Sequence, residues 1–108
     1  MEARAARRRD VGARLERALI AAAAVEGCVL RIVEASWVPW ASVTFSGARH
    51  RLTLELDESI VAKAWLVALP ELELPISGHL VADLQVTMVE TADGVVCAGI
   101  EALTVEEC

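Results

Sequence analysis

Hydrophobic and polar residues alternate in two stretches of this chain, separated by a short helical pattern. From Ala41 to Leu56 the alternation surrounds the turn-like Ser46-Gly47-Ala48-Arg49, which predicts a hairpin with one buried face. From Leu80 to Val105 it surrounds Asp93-Gly94, a dipeptide typical of tight hairpin turns. Near the end of this second hairpin the apolar residues change parity at Leu103. A bulge near Glu101-Ala102 or a second covered face would explain that change.

Two amphipathic helices are predicted around the first hairpin. Near the N-terminus, helical spacing places five apolar residues on one stripe: Val11, Leu15, Leu19, Ala22 and Val25. The second helix covers Ser59–Leu69, because Asp57 or Ser59 can cap it and Pro70 ends it. Its predicted apolar stripe is Val61, Ala64, Trp65 and Ala68.

A further strand is predicted at Cys28–Ala35, before the first hairpin. Leu30 and Ile32 fall on one face, and Val29 and Val33 on the other. Apolar residues on both faces are typical of an interior strand or of a strand covered at an interface. The segment Ser36–Trp40 should break this strand, since its proline marks an edge, a bulge or a turn.

These elements predict a two-layer α+β sandwich, an antiparallel sheet of four to five strands with both helices on one face. The length of 108 residues suits a single domain, 1–108, in which 1–10 form a frayed basic arm. Apolar residues make up 56% of the chain, more than a small monomer easily hides. A homodimer would bury the surplus.

Charge is divided unevenly along the chain. Residues 1–20 carry a balance of +3 and residues 21–108 a balance of −9, which together give the net −6. A basic arm on an acidic body can be a tail that binds nucleic acid or a membrane. It can also dock on the acidic surface of its own chain or of a partner subunit. The acidic body repels phosphates beyond the arm, and the chain has no Tyr and a single Phe to stack on bases, so nucleic-acid binding is disfavoured.

The N-terminal segment and the cysteines indicate the cellular compartment of the protein. Arg7-Arg8-Arg9 before the apolar run Ala18–Val25 resembles a signal peptide, but Arg14, Glu16 and Arg17 intervene and favour an amphipathic helix. No stretch is long enough to span a bilayer. The three cysteines, Cys28, Cys97 and Cys108, have no metal or redox spacing. We therefore expect a cytoplasmic protein with no membrane segment.

Little in the sequence points to chemistry. There is no P-loop, dinucleotide fingerprint or serine elbow, and we predict no cofactor and no metal site. His50 and His79 are each expected at a surface or strand end. The segment Arg49-His50-Arg51 is a solvated turn in the ordinary interpretation, but it could bind a small polar or anionic ligand. Trp37 and Trp40 flank Pro39 and could line a pocket or anchor an interface.

Two functions remain open. The first is a small, non-enzymatic binding or interaction protein that acts as a homo-oligomer. The alternative is a small enzyme or ligand-binding protein with a pocket near Trp37, Trp40 and His79, to which Arg49 and Arg51 could contribute. The absence of a catalytic constellation favours the first.

Overall fold

The computed structural model describes residues 2–107, with side chains from Val11 onward. The elements in chain order are α1 (Glu2–Val25), β1 (Leu30–Ala41), β2 (Ser46–Asp57), α2 (Ile60–Ala68), a 3-10 turn (Leu69–Glu71), β3 (His79–Ala92) and β4 (Val95–Glu106). The strands form one antiparallel sheet in the order β1-β2-β4-β3, which confirms the predicted α+β class with four strands. The predicted basic arm at 1–10 and the thiol of Cys108 lie outside the described side chains.

One hydrophobic core lies between the sheet and the helical layer. Helix α1 packs over β1 and β2, and the 3-10 turn that continues α2 packs against β3. The even-numbered residues of β2 and β4 point into this core, where several side chains have no exposed surface: Leu54, Leu56, Val96, Ala98 and Ile100. The opposite side of the sheet, the outer face, carries no helix and presents charged residues. Alternating apolar and polar residues on two central strands thus fix which face the helices cover.

The first hairpin differs from its prediction. The segment Ser36–Trp40 does not break β1, and the turn is Ser42–Phe45 instead of Ser46–Arg49. Pro39 is tolerated because β1 is an edge strand, where proline is accommodated. Of the two predicted alternatives for this strand, the interior position is therefore wrong, and a strand covered at an interface stays a prediction. Gly47 lies inside β2, where an added Cβ would collide with the backbone of Thr104 on β4. Glycine is therefore required at position 47 because β2 and β4 approach closely there, and not because the chain turns.

The second hairpin forms as predicted, but the residues that point to each face of it differ from the prediction. Asp93 and Gly94 adopt φ values of 54° and 76°, the left-handed pair that a two-residue hairpin turn needs. Of the two explanations for the change of parity at Leu103, the bulge near Glu101-Ala102 is wrong, because β4 alternates without interruption to the buried Thr104. The irregularities lie in β3, at Ala82 and Thr87. Each shifts the parity of β3, and the irregularity at Ala82 is the one that points His79 into the core.

Both helices form, with stripes that differ from those predicted. In α1, Val11, Leu15 and Leu19 are buried as expected, but Ala23 completes the stripe and Val25 is 82% exposed. In α2, Ser59 caps the helix by accepting a hydrogen bond from the N–H of Ala62 at 2.9 Å. Its buried residues are Ala62, Trp65 and Leu66, so only Trp65 of the predicted stripe lies in the core; Leu69 of the following 3-10 turn is buried as well.

Candidate functional site

A wide apolar groove opens between the two helices, on the side away from the sheet. This inter-helix groove has a volume of about 1150 Å³. Small residues of α1 form one wall: Ala18, Ala21, Ala22 and Val25. Residues of α2 form the other: Ile60, Val61, Ala64 and Ala68. The apolar residues that were predicted for the core but left out of it, Val25 of α1 and three residues of α2, are therefore groove residues.

The rim of the inter-helix groove is charged, with opposite signs towards its two ends along α1. Arg14 and Arg17 lie at one end of the α1 wall, and Glu26 lies just beyond the other. Arg14 is held in place because its Nη1 donates to the carbonyl oxygen of Ser77 at 2.7 Å. Arg17 and Glu26 are exposed and form no ion pair with another described residue. The rim therefore offers a cation and a carboxylate to whatever occupies the groove.

A cluster of three polar side chains is buried under α1, near one end of the sheet. Neither histidine lies at the surface, since His50 is 3% exposed and His79 is 7% exposed, although His79 does begin a strand, as the strand-end alternative predicted. The Thr104 hydroxyl donates to the carbonyl oxygen of Ala48 at 3.3 Å, and His50 Nε2 lies 2.8 Å from the same hydroxyl oxygen. Because that hydroxyl has one proton, the network assigns a proton to His50 Nε2. Together, His50, His79 and Thr104 form the histidine cluster.

Burial favours the neutral form of the His50 ring. Burial, and secondarily repulsion from His79, lowers the pKa of His50 from 6.5 to about 4. His79 Nδ1 lies 3.4 Å from the carbonyl oxygen of Ser77, and its buried Nε2 has no hydrogen-bond partner among the described residues. His50 borders two surface cavities, but it is only 3% exposed and its Nε2 is already bonded to Thr104, which leaves that nitrogen poorly placed to exchange protons with a substrate. We interpret the cluster as structural.

The sheet does not bring Trp37, Trp40 and His79 into one pocket. Trp37 faces α1, where an added Cβ on Gly12 would lie 3.3 Å from its ring. Trp40 is three residues further along β1, pairs with Gly47 and falls on the opposite face by alternation. The cavities that Trp37 lines do not include Trp40 or His79.

Arg49 and Arg51 lie together on the outer face, in a shallow cleft of about 440 Å³. Asp83 and Glu101 line the same cleft, so two carboxylates balance the two guanidinium groups. Arg51 is already 3.4 Å from Glu101. A site of balanced charge does not select for a purely anionic ligand, which weakens the anion-binding interpretation.

Sequence reasoning missed the inter-helix groove and the partner of His50. The groove could have been predicted from the sequence, since both helices are apolar over more than the single stripe that a core needs. The burial of Thr104 could also have been predicted, because the buried residues of β4 are the even-numbered ones and Thr104 continues that series. The meeting of His50 with His79 has no local signal, as it depends on β3 and β2 both flanking β4.

Neither a metal-ligand cluster nor a helix suited to span a bilayer is found among the described residues. No three His, Cys, Asp or Glu side chains of residues 11–107 cluster closely enough to hold a metal ion. No helix among the described residues has both the length and the apolar character of a bilayer span. Cys28 and Cys97 are half-buried free thiols.

Comparison with known proteins adds no further constraint on the site. The chain matches no protein-family model, no curated protein and no solved structure. The inter-helix groove, the histidine cluster and the outer-face cleft must therefore be judged on their own geometry.

Proposed function

We propose that this chain is a small cytoplasmic interaction protein that works as a homo-oligomer, and that the inter-helix groove is its self-association surface. The observation that carries the proposal is the second apolar face on each helix. One face of α1 and one face of α2 fill the core, and a second face of each lines the groove, where no side chain of residues 11–107 covers it. Ile60 is 88% exposed and Val25 is 82% exposed in this position.

Burial of such a surface is favourable in water. Removing apolar area from solvent contributes roughly 25 cal/mol per Å² before the costs of association are subtracted. Contiguous apolar patches on small domains are typical of interaction sites. The small side chains on both walls also allow a partner helix to approach closely, which increases the area that can be covered.

Other surfaces of the molecule are less suited to association. The edge strand β1 carries Pro39 and a register irregularity at Val33, and the edge strand β3 carries two such irregularities. Irregular edges of this kind discourage strand-to-strand pairing between molecules. The outer face carries charged side chains in the cleft around Arg51. These features disfavour strand pairing and the outer cleft as association surfaces. A second apolar groove of about 610 Å³, lined by Val67 and Val89, is smaller than the inter-helix groove.

The cytoplasmic assignment is supported by the thiols. Cys28 and Cys97 are free, although neither is fully exposed. Reduced cysteines without a disulfide framework are typical of proteins from reducing compartments. The enzyme alternative has less support, because the histidine cluster is closed and the tryptophans point to different faces.

The proposal is tested by the molar mass of the purified protein from light scattering at micromolar concentration. We expect twice the chain mass of 11.6 kDa, or a multiple of that value. Ala64→Glu places a carboxylate on the groove wall and should shift the mass towards the monomer. Val67→Glu is the matched control, because Val67 lies on the same helix, is 82% exposed and does not line the groove.

A monomeric unmodified protein over the whole concentration range would contradict self-association. An oligomer that responds equally to Ala64→Glu and Val67→Glu would contradict the choice of the groove. Circular dichroism of each variant checks that the fold is retained.

A further inference from the structure

We propose that the turn between β1 and β2 inserts into the surface of an anionic lipid bilayer, with the basic start of α1 held at the lipid headgroups. This turn, the hairpin tip, comprises residues 42–45. It is separate from the inter-helix groove, and its role does not depend on self-association. Docking of this kind needs no bilayer-spanning segment, because the protein stays on one side of the membrane.

The hairpin tip is apolar, exposed and free of charge. Val43 is fully exposed, and Phe45 is 57% exposed. Both belong to residues 35–48, which are fourteen consecutive residues with no acidic or basic side chain, the longest such run in a chain that is 24% charged. Charged side chains are common on surfaces in contact with water and costly in hydrocarbon. The composition of this exposed segment therefore fits an apolar environment better than it fits water.

The turn also satisfies part of its own backbone. The N–H of Ser42 donates to the carbonyl oxygen of Phe45 at 2.7 Å, and the N–H of Phe45 donates to Ser42 Oγ at 3.1 Å. A backbone group that lost its water without such a partner would make insertion costly. These two hydrogen bonds confine that cost to the backbone of Val43 and Thr44.

Aromatic and basic residues lie behind the hairpin tip, at the level that lipid headgroups would occupy. Trp40 is three residues before Val43, which is about 10 Å along a strand and close to the depth that interfacial segments reach in a bilayer. Tryptophan is enriched at this boundary. Arg49 is exposed and forms no ion pair with another described residue. It pairs by register with Val38, two residues further from the tip than Trp40.

The start of α1 lies at the same end of the molecule. Helix α1 and β1 follow each other after a short loop and run side by side in opposite directions, since Gly12 adjoins the ring of Trp37. The helix extends ten residues beyond Gly12 to Glu2, about 15 Å towards the hairpin tip. Residues 1–10 hold four arginines against Glu2 and Asp10, a balance of +2.

The acidic residues are concentrated at the opposite end of the sheet, where α1 ends and the second hairpin turns. They include Glu26, Asp57, Glu58, Glu90 and Asp93. Near the hairpin tip, Glu106 accepts a hydrogen bond from the Ser46 hydroxyl and Glu107 is exposed, but the start of α1 and Arg49 outweigh these two carboxylates. An anionic bilayer therefore attracts the end that bears the tip and repels the other. An apolar insertion and a basic segment together supply the two signals that stable docking needs.

Cosedimentation with vesicles tests membrane docking. The unmodified protein should bind vesicles of phosphatidylcholine and phosphatidylserine mixed about 3:1, and high salt should weaken binding because it screens exposed charges. Val43→Ser combined with Phe45→Ser removes two apolar side chains from the hairpin tip and should weaken binding at least tenfold. Val67→Ser is the matched control, because Val67 is 82% exposed on α2, away from the tip, and it should leave binding unaltered.

Two further measurements locate the contact. Changing Arg7, Arg8 and Arg9 together to Gln should weaken binding to the anionic vesicles at least tenfold. Lipids with brominated chains should quench the tryptophan fluorescence of the bound protein. Trp40→Phe should remove most of this quenching and retain binding, because Trp65 is buried in the core.

Failure to bind the anionic vesicles would overturn membrane docking, and so would equal binding by the tip variant and the Val67→Ser control. Binding to single-stranded DNA without binding to vesicles would overturn it as well, and would assign the basic start of α1 to a nucleic acid. The molar mass of the tip variant should equal that of the unmodified protein, since the groove is unchanged; a lower mass would assign the tip to self-association and not to lipid. A thermal melt for each variant confirms that lost binding does not reflect unfolding.

Discussion

Acidification should destabilise this protein through His50, well above the pH at which most carboxylates become protonated. His50 is buried and neutral, and its pKa is lowered from 6.5 to about 4 in the folded protein. In the unfolded chain the ring recovers its ordinary pKa. Between pH 6.5 and 4 the unfolded state therefore binds more protons than the folded state, and the free energy of unfolding falls as the pH falls.

The size of the effect follows from the two pKa values. Each unit of difference corresponds to about 1.4 kcal/mol, so the full loss below pH 4 is about 3 kcal/mol. Most of it appears early, since lowering the pH from 7 to 5 should remove about 2 kcal/mol. Above pH 7 the contribution of His50 is constant, because the ring is neutral in both states.

His50→Gln isolates this contribution. Glutamine retains an N–H donor for the Thr104 hydroxyl but does not titrate. Urea unfolding followed by tryptophan fluorescence at pH 7 and pH 5, at one protein concentration, gives the free energy of unfolding for both proteins. The unmodified protein should lose about 2 kcal/mol more than the variant between the two values. Equal losses would refute the argument, because they would mean that His50 binds the same number of protons in both states.

Two further predictions concern stability. Trp65 is 4% exposed and connects α2 to the core, so Trp65→Ala should lower the free energy of unfolding by about 3–5 kcal/mol. Val67→Ala, on the same helix but 82% exposed, should change it by less than about 0.5 kcal/mol, and similar values for the two in chemical denaturation would contradict the assigned helix face. Gly94 has φ 76°, so Gly94→Ala should cost about 1–2 kcal/mol in a thermal or urea titration. Asp93→Asn, which keeps a residue suited to the left-handed region, should be nearly neutral, and an equal loss in the two would contradict the turn geometry.

Local patterns in the sequence predict part of this fold. The alternation of Leu52, Leu54 and Leu56 identifies the inner face of β2, and Asp93-Gly94 identifies the second turn, because each signal acts within a few residues. Ser59 and Pro70 likewise bound α2 closely. These features need no knowledge of the neighbouring strands.

Other features depend on contacts between distant parts of the chain. Gly47 resembles a turn residue in sequence, but it is needed where β2 passes close to Thr104 of β4. The irregularity at Ala82 reverses the parity of the strand start, so His79 becomes a core residue. The apolar stripe of α2 could not be placed, because a helix with two apolar faces satisfies the same spacing in more than one orientation.

The candidate site was likewise predictable only in part from the sequence. The sequence contains the apolar excess that led us to predict a homodimer, and Val25, Ile60 and Val61 are exposed apolar residues that line the inter-helix groove. It does not reveal that Trp37 and Trp40 point to different faces, because Ser36–Trp40 was expected to end the strand. The histidine cluster depends on the sheet order, which the pattern of a single chain leaves open.

The strand order β1-β2-β4-β3 also determines how the chain can assemble during folding. The pairs β1–β2 and β3–β4 are hairpins whose strands are close in sequence, so each can form early. Joining them requires β2 to meet β4 across the segment that contains α2, and this closure of a longer loop should limit the folding rate. Once joined, β2 and β4 are hydrogen-bonded on both sides and should hold the slowest-exchanging amides of the sheet. The edge strands β1 and β3 can open without separating the two hairpins.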